Sequence, residues 1–312
     1  MRELFKNCVA LKEENGWYLP TRFTEKQISQ YKKNEFINIR SLAPSGVHLA
    51  FTSEAKSVEI EYSIGVKARD WACFDVLVDG FLFDSKILDS DKGIVTLNLS
   101  GDDNARTEIY LPHLVEIKIK APVSDAPLLP IKEKRDFYLA LGDSITQGMV
   151  AVHPSFAYPI SLARHFNYDL LNCGVGSICF NKDELDFCGR EPKLITLALG
   201  CNDWSKVPIT DIEKIVCEYV DKLVSLYECR NIYAILPIWR SDETSVTLDS
   251  TFREFREEIK KAYLKYDFIK IVDGYKLVPH DKKFFNDPRE EQCHPNEMGF
   301  LYYAERLIKN VK

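Results

Sequence analysis

The stretch Tyr138-Leu-Ala-Leu-Gly-Asp-Ser-Ile-Thr-Gln-Gly148 constrains this chain more than any other. Four apolar residues ending in Gly142, Asp143 and Ser144 read as a buried strand that runs into a tight turn, with Ser144 opening the next helix. Such a turn holds a hydroxyl over the carboxyl edge of a sheet. In an open α/β sheet that edge binds ligands, and a serine at a helix N-terminus has backbone N–H groups beside it to meet developing negative charge. An isolated Asp-Ser pair is more often a helix cap. The nucleophile reading therefore needs a base and further oxyanion donors in the downstream chain.

Downstream of Ser144 the chain alternates short apolar runs with helical stretches. Phe137 to Leu141, Leu170 to Asn172, Leu194 to Leu199, Ile232 to Leu236 and Phe268 to Val272 are five such runs, the first leading into the serine itself. This alternation predicts a parallel sheet covered on both faces. Thr210 and Glu213 form a capping-box pattern ahead of a helix that buries Ile212, Ile215, Val216, Tyr219, Val220 and Leu223. A last helix is predicted from near Pro295, with Met298, Leu301, Ala304 and Leu307 or Ile308 turned inward.

Upstream the period changes to two. Val58, Ile60, Tyr62 and Ile64 alternate with polar neighbours, as do Val115, Ile117 and Ile119. Phe74, Val76 and Val78 lead through Asp79-Gly80, a hairpin signal, to Phe81 and Phe83. No convincing helix is read after the first thirty or so residues of this half, which predicts an antiparallel, jelly-roll-like sandwich. Three prolines between Ala121 and Pro130 interrupt both periodicities. The expected organisation is a sandwich over residues 1–125, a linker over 126–136 and an α/β domain over 137–312.

A nucleophilic serine needs a base, and His294 in Glu291-Gln-Cys-His-Pro-Asn296 has the best setting of the six histidines. It precedes a helix-starting proline, so it is expected in a loop on the same rim as Ser144. Glu291, three residues earlier, or a backbone carbonyl in its place, is expected to fix its tautomer. Gly174, in Asn172-Cys-Gly-Val-Gly176, and Asn202, in Gly200-Cys-Asn-Asp203, come directly after predicted strands and are candidate oxyanion donors beside the Ser144 N–H. Trp204, Trp239 and Arg240 are candidate substrate contacts, and Asp143 and Asp203 are read as braces. His153 and Tyr158 are weaker candidates.

With these blocks in order, the C-terminal half resembles the SGNH or GDSL hydrolase superfamily, with Ser144, Gly174, Asn202 and His294 as its four signature residues. The resemblance implies a flavodoxin-like domain with a five-stranded parallel sheet, serine ester hydrolysis, no metal and no cofactor. An all-β sandwich ahead of such a domain resembles bacterial carbohydrate esterases that remove O-acetyl groups, so the expected partner is a small ester or acetylated sugar. The family usually has Asp where this chain has Glu291, one methylene longer. Short-chain lipase or thioesterase activity is the alternative within the superfamily, and a sugar-binding protein with a vestigial site is a third.

Composition excludes other classes. Forty-one Lys and Arg against 47 Asp and Glu give a net charge of −6, with no basic stripe for a nucleic-acid backbone. No apolar stretch is of membrane-spanning length, so no membrane partner is expected. The N-terminus turns charged at Lys12, Glu13 and Glu14 before a signal-peptide core builds up. Nine cysteines, odd in number and mostly inside apolar runs, fit reduced thiols, and the expected compartment is cytoplasmic. Cys173, Cys179, Cys188 and His165 lack any CxxC spacing, and metal is discarded. The oligomeric state has no sequence signal.

Overall fold

The computed structural model describes residues 1–285 and 293–312. Two antiparallel sheets build the N-terminal part. One runs Phe5–Lys6, His48–Thr52, Thr107–Tyr110, Cys73–Val78 and Phe81–Ile87, with Leu129–Pro130 added to His48–Thr52. The other runs Val123–Ser124, Ser57–Lys67, Val115–Ile119, Trp17–Thr21 and Ala10–Glu14, with Lys92–Asn98 paired to Ser57–Lys67. Alternate residues such as Val58, Ile60, Phe74, Val76, Ile117 and Ile119 point between the sheets into one apolar core. Asp79 and Gly80 close their hairpin with φ of 49° and 84°, the left-handed pair that a two-residue turn requires.

Two helices interrupt the strands. α1 (Glu25–Tyr31) carries a full capping box between Thr24 and Gln27, and α2 (Glu35–Ser41) is capped by Asn34. The second has no counterpart among the sequence expectations, since seven residues without a clear apolar stripe give little periodic signal. This segment packs away from the sandwich core: Phe23 and Tyr31 are buried in the core of the C-terminal sheet. Arg22, 1 % exposed, donates from Nη1 to Gly174 O at 2.9 Å and to Asn172 O, and from Nε to Ala43 O at 2.7 Å.

The C-terminal sheet has five parallel strands: β1 (Phe137–Gly142), β2 (Asp169–Gly174), β3 (Leu194–Ala198), β4 (Ile232–Ile235) and β5 (Ile269–Val272), in spatial order 2-1-3-4-5. β1 therefore lies at the switch point, where the chain turns first to one side and then to the other. α3 (Ser144–Gln147) comes directly after β1, and α4 (Tyr158–Phe166), α5 (Ile209–Leu226), α6 (Phe252–Tyr263) and α7 (Glu297–Asn310) cover the faces. α5 and α6 bury one apolar face of the sheet, and α4 and α7 the other. β1 to β4 are buried almost throughout and are mostly apolar, while the edge strand β5 leaves Lys270 exposed.

Two helix expectations are corrected. α5 begins at Ile209 after Pro208, so Thr210 falls inside the first turn and caps nothing; the Ile209 N–H instead donates to the Asp249 carboxylate at 3.1 Å. In α7 the buried residues are Gly299, Phe300, Tyr303, Ala304 and Leu307, while Met298 and Leu301 are 54 % and 43 % exposed. Two apolar stripes overlap there, and the one with the larger aromatic area is buried. Pro295 precedes α7, whose N-cap is Asn296. Among the described residues, no helix is long and apolar enough to cross a membrane, and all nine cysteines are free thiols.

Candidate active site

Gly142 sits where no other residue fits. A Cβ there would meet Thr146 Oγ1 at 2.0 Å and the Ala198 carbonyl at 2.7 Å, so the requirement is close approach and not a positive φ. Asp143 caps α3 by accepting the Ile145 N–H at 3.0 Å, and Ser144 is the first helical residue. Its own N–H has no acceptor within the helix.

The Ser144 hydroxyl lies 2.8 Å from Nε2 of His294, although 150 residues separate them. Each is 8 % exposed. The second ring nitrogen, Nδ1, is 3.7 Å from Cys293 Sγ. Glu291, the candidate orienting carboxylate, lies outside the described residues. Asp143 is within electrostatic reach of the imidazole: burial raises its carboxyl to about 6, and the Ile145 N–H and His294 partly oppose that rise. Asp203, fully buried, accepts the Phe180 N–H at 3.0 Å, and burial raises its carboxyl to about 7. Each carboxyl accepts a backbone N–H, Asp143 that of Ile145 in α3 and Asp203 that of Phe180 in the loop after β2, as their reading as braces expects.

Both pair members open on a cavity of about 450 Å³, which is also lined by Gly176, Asn202, Trp204 and Arg240. Asn202 donates from Nδ2 to Ile178 O at 2.9 Å, which leaves the second N–H of its amide for a bound group. Gly174 differs from its expectation. Its N–H donates to Asn172 Oδ1 at 2.9 Å beneath the site, and the glycine on the cavity wall is Gly176. Asn172 uses its other end to donate to Thr146 O at 2.8 Å, while Gln147 accepts the Gly176 N–H at 2.8 Å and donates to Arg40 O at 2.9 Å. Gly174 is thus a packing glycine: a Cβ on it would meet the Gln147 backbone nitrogen at 2.3 Å.

Of the candidate substrate contacts, Trp204 and Arg240 line the cavity and Trp239 does not. Trp239 stacks on His280, with ring centroids 5.3 Å apart, and packs on Phe285. Arg240 is held by Asp242, with contacts of 2.5 and 2.9 Å, and lies over the rings of Trp204 and Phe252. Trp204 donates from Nε1 to Ser250 O at 2.9 Å. Tyr158 is buried under α3, its hydroxyl 2.9 Å from Thr146 Oγ1. Sequence reasoning missed two wall residues from the N-terminal half, Arg40 on α2 and Arg69 after the strand Ser57–Lys67. No local pattern marks them, because their place depends on how the two halves meet.

That meeting is fixed by polar contacts close to Ser144. His113 Nε2 lies 3.0 Å from Gly148 O, and Trp71 donates from Nε1 to Ala151 O at 3.2 Å. Burial lowers the His113 imidazole to about 4, so the ring is neutral at ordinary pH and its Nε2–H donates to the carbonyl.

Comparison with known proteins gives the same picture of the fold. Residues 140–300, more than half of the chain, match the GDSL-like lipase/acylhydrolase family. A salicylyl-acyltransferase, SsfX3, from a tetracycline biosynthetic pathway is similar over 98 % of this chain and 93 % of its own, with a TM-score of 0.84 at 20 % identity. A putative GDSL-like lipase from Bacteroides ovatus is similar over 100 % and 97 %, with a TM-score of 0.72 at 17 % identity. A family two carbohydrate esterase from Clostridium thermocellum, solved with cellohexaose, is similar over 85 % and 91 %, with a TM-score of 0.65 at 16 % identity. At these identities the likeness is one of fold. No curated protein sequence matches.

Proposed function

The chain belongs to the GDSL-like lipase/acylhydrolase family of ester hydrolases, and from that premise we propose that it removes short acyl groups, acetyl above all, from carbohydrate hydroxyls through an acyl-enzyme on Ser144. The observation that carries this reading is the 2.8 Å approach of Ser144 Oγ to His294 Nε2 at the cavity wall. Nε2 takes the serine proton as Oγ bonds to the ester carbon, and the imidazolium then gives that proton to the departing alcohol oxygen. Water attacks the acyl-Ser144 ester by the same route, with His294 as base, and the carboxylic acid leaves. The Ser144 N–H and the second N–H of the Asn202 amide are assigned to the tetrahedral oxygen, where one such donor is worth about 10²–10³ in rate. Glu291 is assigned the orientation of His294.

Support for the substrate class comes from the wall. Arg40, Arg69, Arg240, Asp242 and Thr247 make it polar, and about 450 Å³ is near the small end of ligand sites. Such a wall suits a hydroxyl-rich alcohol and a short acyl group better than a long alkyl chain. The fold shared with a carbohydrate esterase points the same way.

The test is a panel of p-nitrophenyl acetate, butyrate and octanoate beside acetylated xylo-oligosaccharide. The fastest turnover is expected on acetate, with free acetate released from the oligosaccharide. Rates that climb toward octanoate, or an oligosaccharide left intact, would overturn the assignment.

A further inference from the structure

Away from the active site, three side chains of metal-ligating chemistry converge where the sandwich meets the catalytic domain. Cys73 and Asp75 alternate on the strand Cys73–Val78 and so share one face, while Phe74 and Val76 turn into the sandwich core. Ser85 sits opposite Asp75 on the paired strand Phe81–Ile87. His153 comes from the loop after the nucleophile helix, 78 positions beyond Asp75. Asp75 Oδ1 and His153 Nδ1 are 2.9 Å apart, and Cys73 Sγ lies 3.7 Å from that oxygen and 3.8 Å from that nitrogen. Ser85 Oγ completes the group at 2.8 Å from Asp75 Oδ1, 3.0 Å from His153 Nδ1 and 3.1 Å from Cys73 Sγ.

Four donor atoms at these separations form a compact tetrahedron. Its centre lies about 2 Å from each corner, which matches the bond lengths of zinc to nitrogen and oxygen and falls just short of its bond to sulfur. Outer partners are in place as well. Asp75 Oδ2 accepts the Ser155 N–H at 2.9 Å and the Ser155 hydroxyl at 2.6 Å. The Glu297 carboxylate accepts the His153 backbone N–H at 3.1 Å and lies 4.0 Å from the ring's Nε2. A carboxylate near the far ring nitrogen and hydrogen bonds to a ligating carboxylate are the second layer that metal-binding histidines and carboxylates use.

We propose that Cys73, Asp75 and His153, with Ser85 at the fourth corner, bind one zinc ion that staples the sandwich to the loop after Ser144. Charge closes on this assignment. Asp75 is fully buried, and its ion-pair partner among the described residues is His153. A thiolate and a carboxylate neutralise Zn²⁺, so nothing uncompensated stays buried. On binding, the Cys73 thiol gives its proton to solvent, and His153 carries its ring proton on Nε2 toward Glu297, leaving Nδ1 as the ligand. A search of the sequence for CxxC spacing passes over the cluster, because here one strand face, its cross-strand neighbour and a distant loop supply the donors.

The experiment uses the whole protein. Metal content by plasma mass spectrometry after gel filtration is expected to give one zinc per chain, and zinc added to chelator-treated protein is expected to raise Tm. Cobalt added in its place is expected to give a thiolate-to-cobalt charge-transfer band and the intense visible bands of a tetrahedral ion, both lost in Cys73→Ala and in His153→Ala. The wild-type cobalt spectrum decides the matter even if a variant fails to fold. Substoichiometric zinc with no change of Tm and no charge-transfer band would overturn the proposal and leave Asp75 as the hub of a hydrogen-bond cluster. A charge-transfer band that persists in Cys73→Ala would place the metal on another thiol and overturn it equally.

Discussion

The part of the cavity wall that carries Ser144 and the part that carries Arg40 and Arg69 are built by different means. Ser144 is fixed by backbone groups and short buried side chains: Asp143 on the Ile145 N–H, Asn172 on Gly174 and Thr146, Gln147 on Gly176. The arginines are long side chains that reach the cavity from the N-terminal half. Few rotatable bonds separate the Ser144 hydroxyl from the backbone, whereas the longer arginine side chains are held by contacts of their own, Arg40 donating to Phe36 O at 2.9 Å and Arg69 to Ala68 O at 3.2 Å. On the function proposed above, the contrast would place chemistry in one half of the chain and recognition at the seam between halves. It also says which substitutions should act on kcat and which on KM.

The largest effect belongs to Ser144, the proposed nucleophile. Ser144→Ala is expected to lower kcat on the order of 10⁶ with the fold intact by circular dichroism, as for other nucleophile losses. A variant within tenfold of wild type would mean that the wall does not carry the chemistry. Next comes Asn202→Ala, expected to lower kcat by about 10²–10³ with KM little changed if its second amide N–H serves the transition state as proposed. A change confined to KM would move Asn202 to the recognition side.

Asp143, the buried acid beside Ser144, gives a stability test with a defined sign. Folding raises the Asp143 carboxyl from 3.8 to about 6 through burial, so the folded chain holds this proton more tightly than the unfolded chain. The stability due to this group is therefore greatest below pH 3.8, declines as pH rises toward about 6, and is level above that. Asp143→Asn keeps an oxygen for the Ile145 N–H and has no proton to lose. Relative to wild type it is expected to gain about 2 kcal/mol between pH 4 and pH 7, an order-of-magnitude value, read from urea unfolding. A constant difference across that range would mean that Asp143 is not desolvated.

The smallest effects belong to the seam. Arg40→Ala and Arg69→Ala are each expected to raise KM for an acetylated oligosaccharide about tenfold, the worth of one charge-assisted hydrogen bond, with kcat within about twofold. On p-nitrophenyl acetate, which lacks the sugar, KM is expected to hold. Equal losses on both substrates would erase the division between chemistry and recognition.

How legible each region is in the sequence depends on the range of its interactions. The four strands β1 to β4 are largely apolar runs because both of their faces are covered, and the order of the five strands along the chain brings Ser144 and His294 to one rim. The sandwich strands announce themselves by alternation. Elements fixed by tertiary contacts do not. α2 is placed by packing on the other half, and Gly174 and Gly176 are indistinguishable until Asn172 and Gln147 are seen to take their N–H groups. Asp249, forty positions away, caps α5 in place of the local Thr210. Trp239 lies one residue before Arg240, yet turns away to stack on His280.

The central claim, a covalent acyl-enzyme on Ser144, is tested most directly by intact-mass and peptide mapping after treatment with a fluorophosphonate, whose phosphorus is attacked by an activated serine and retained. One adduct per chain is expected, mapped to Ser144, with activity lost in parallel and labelling absent from both Ser144→Ala and His294→Ala. An adduct on any other residue, or full inactivation with Ser144 unmodified, would contradict it.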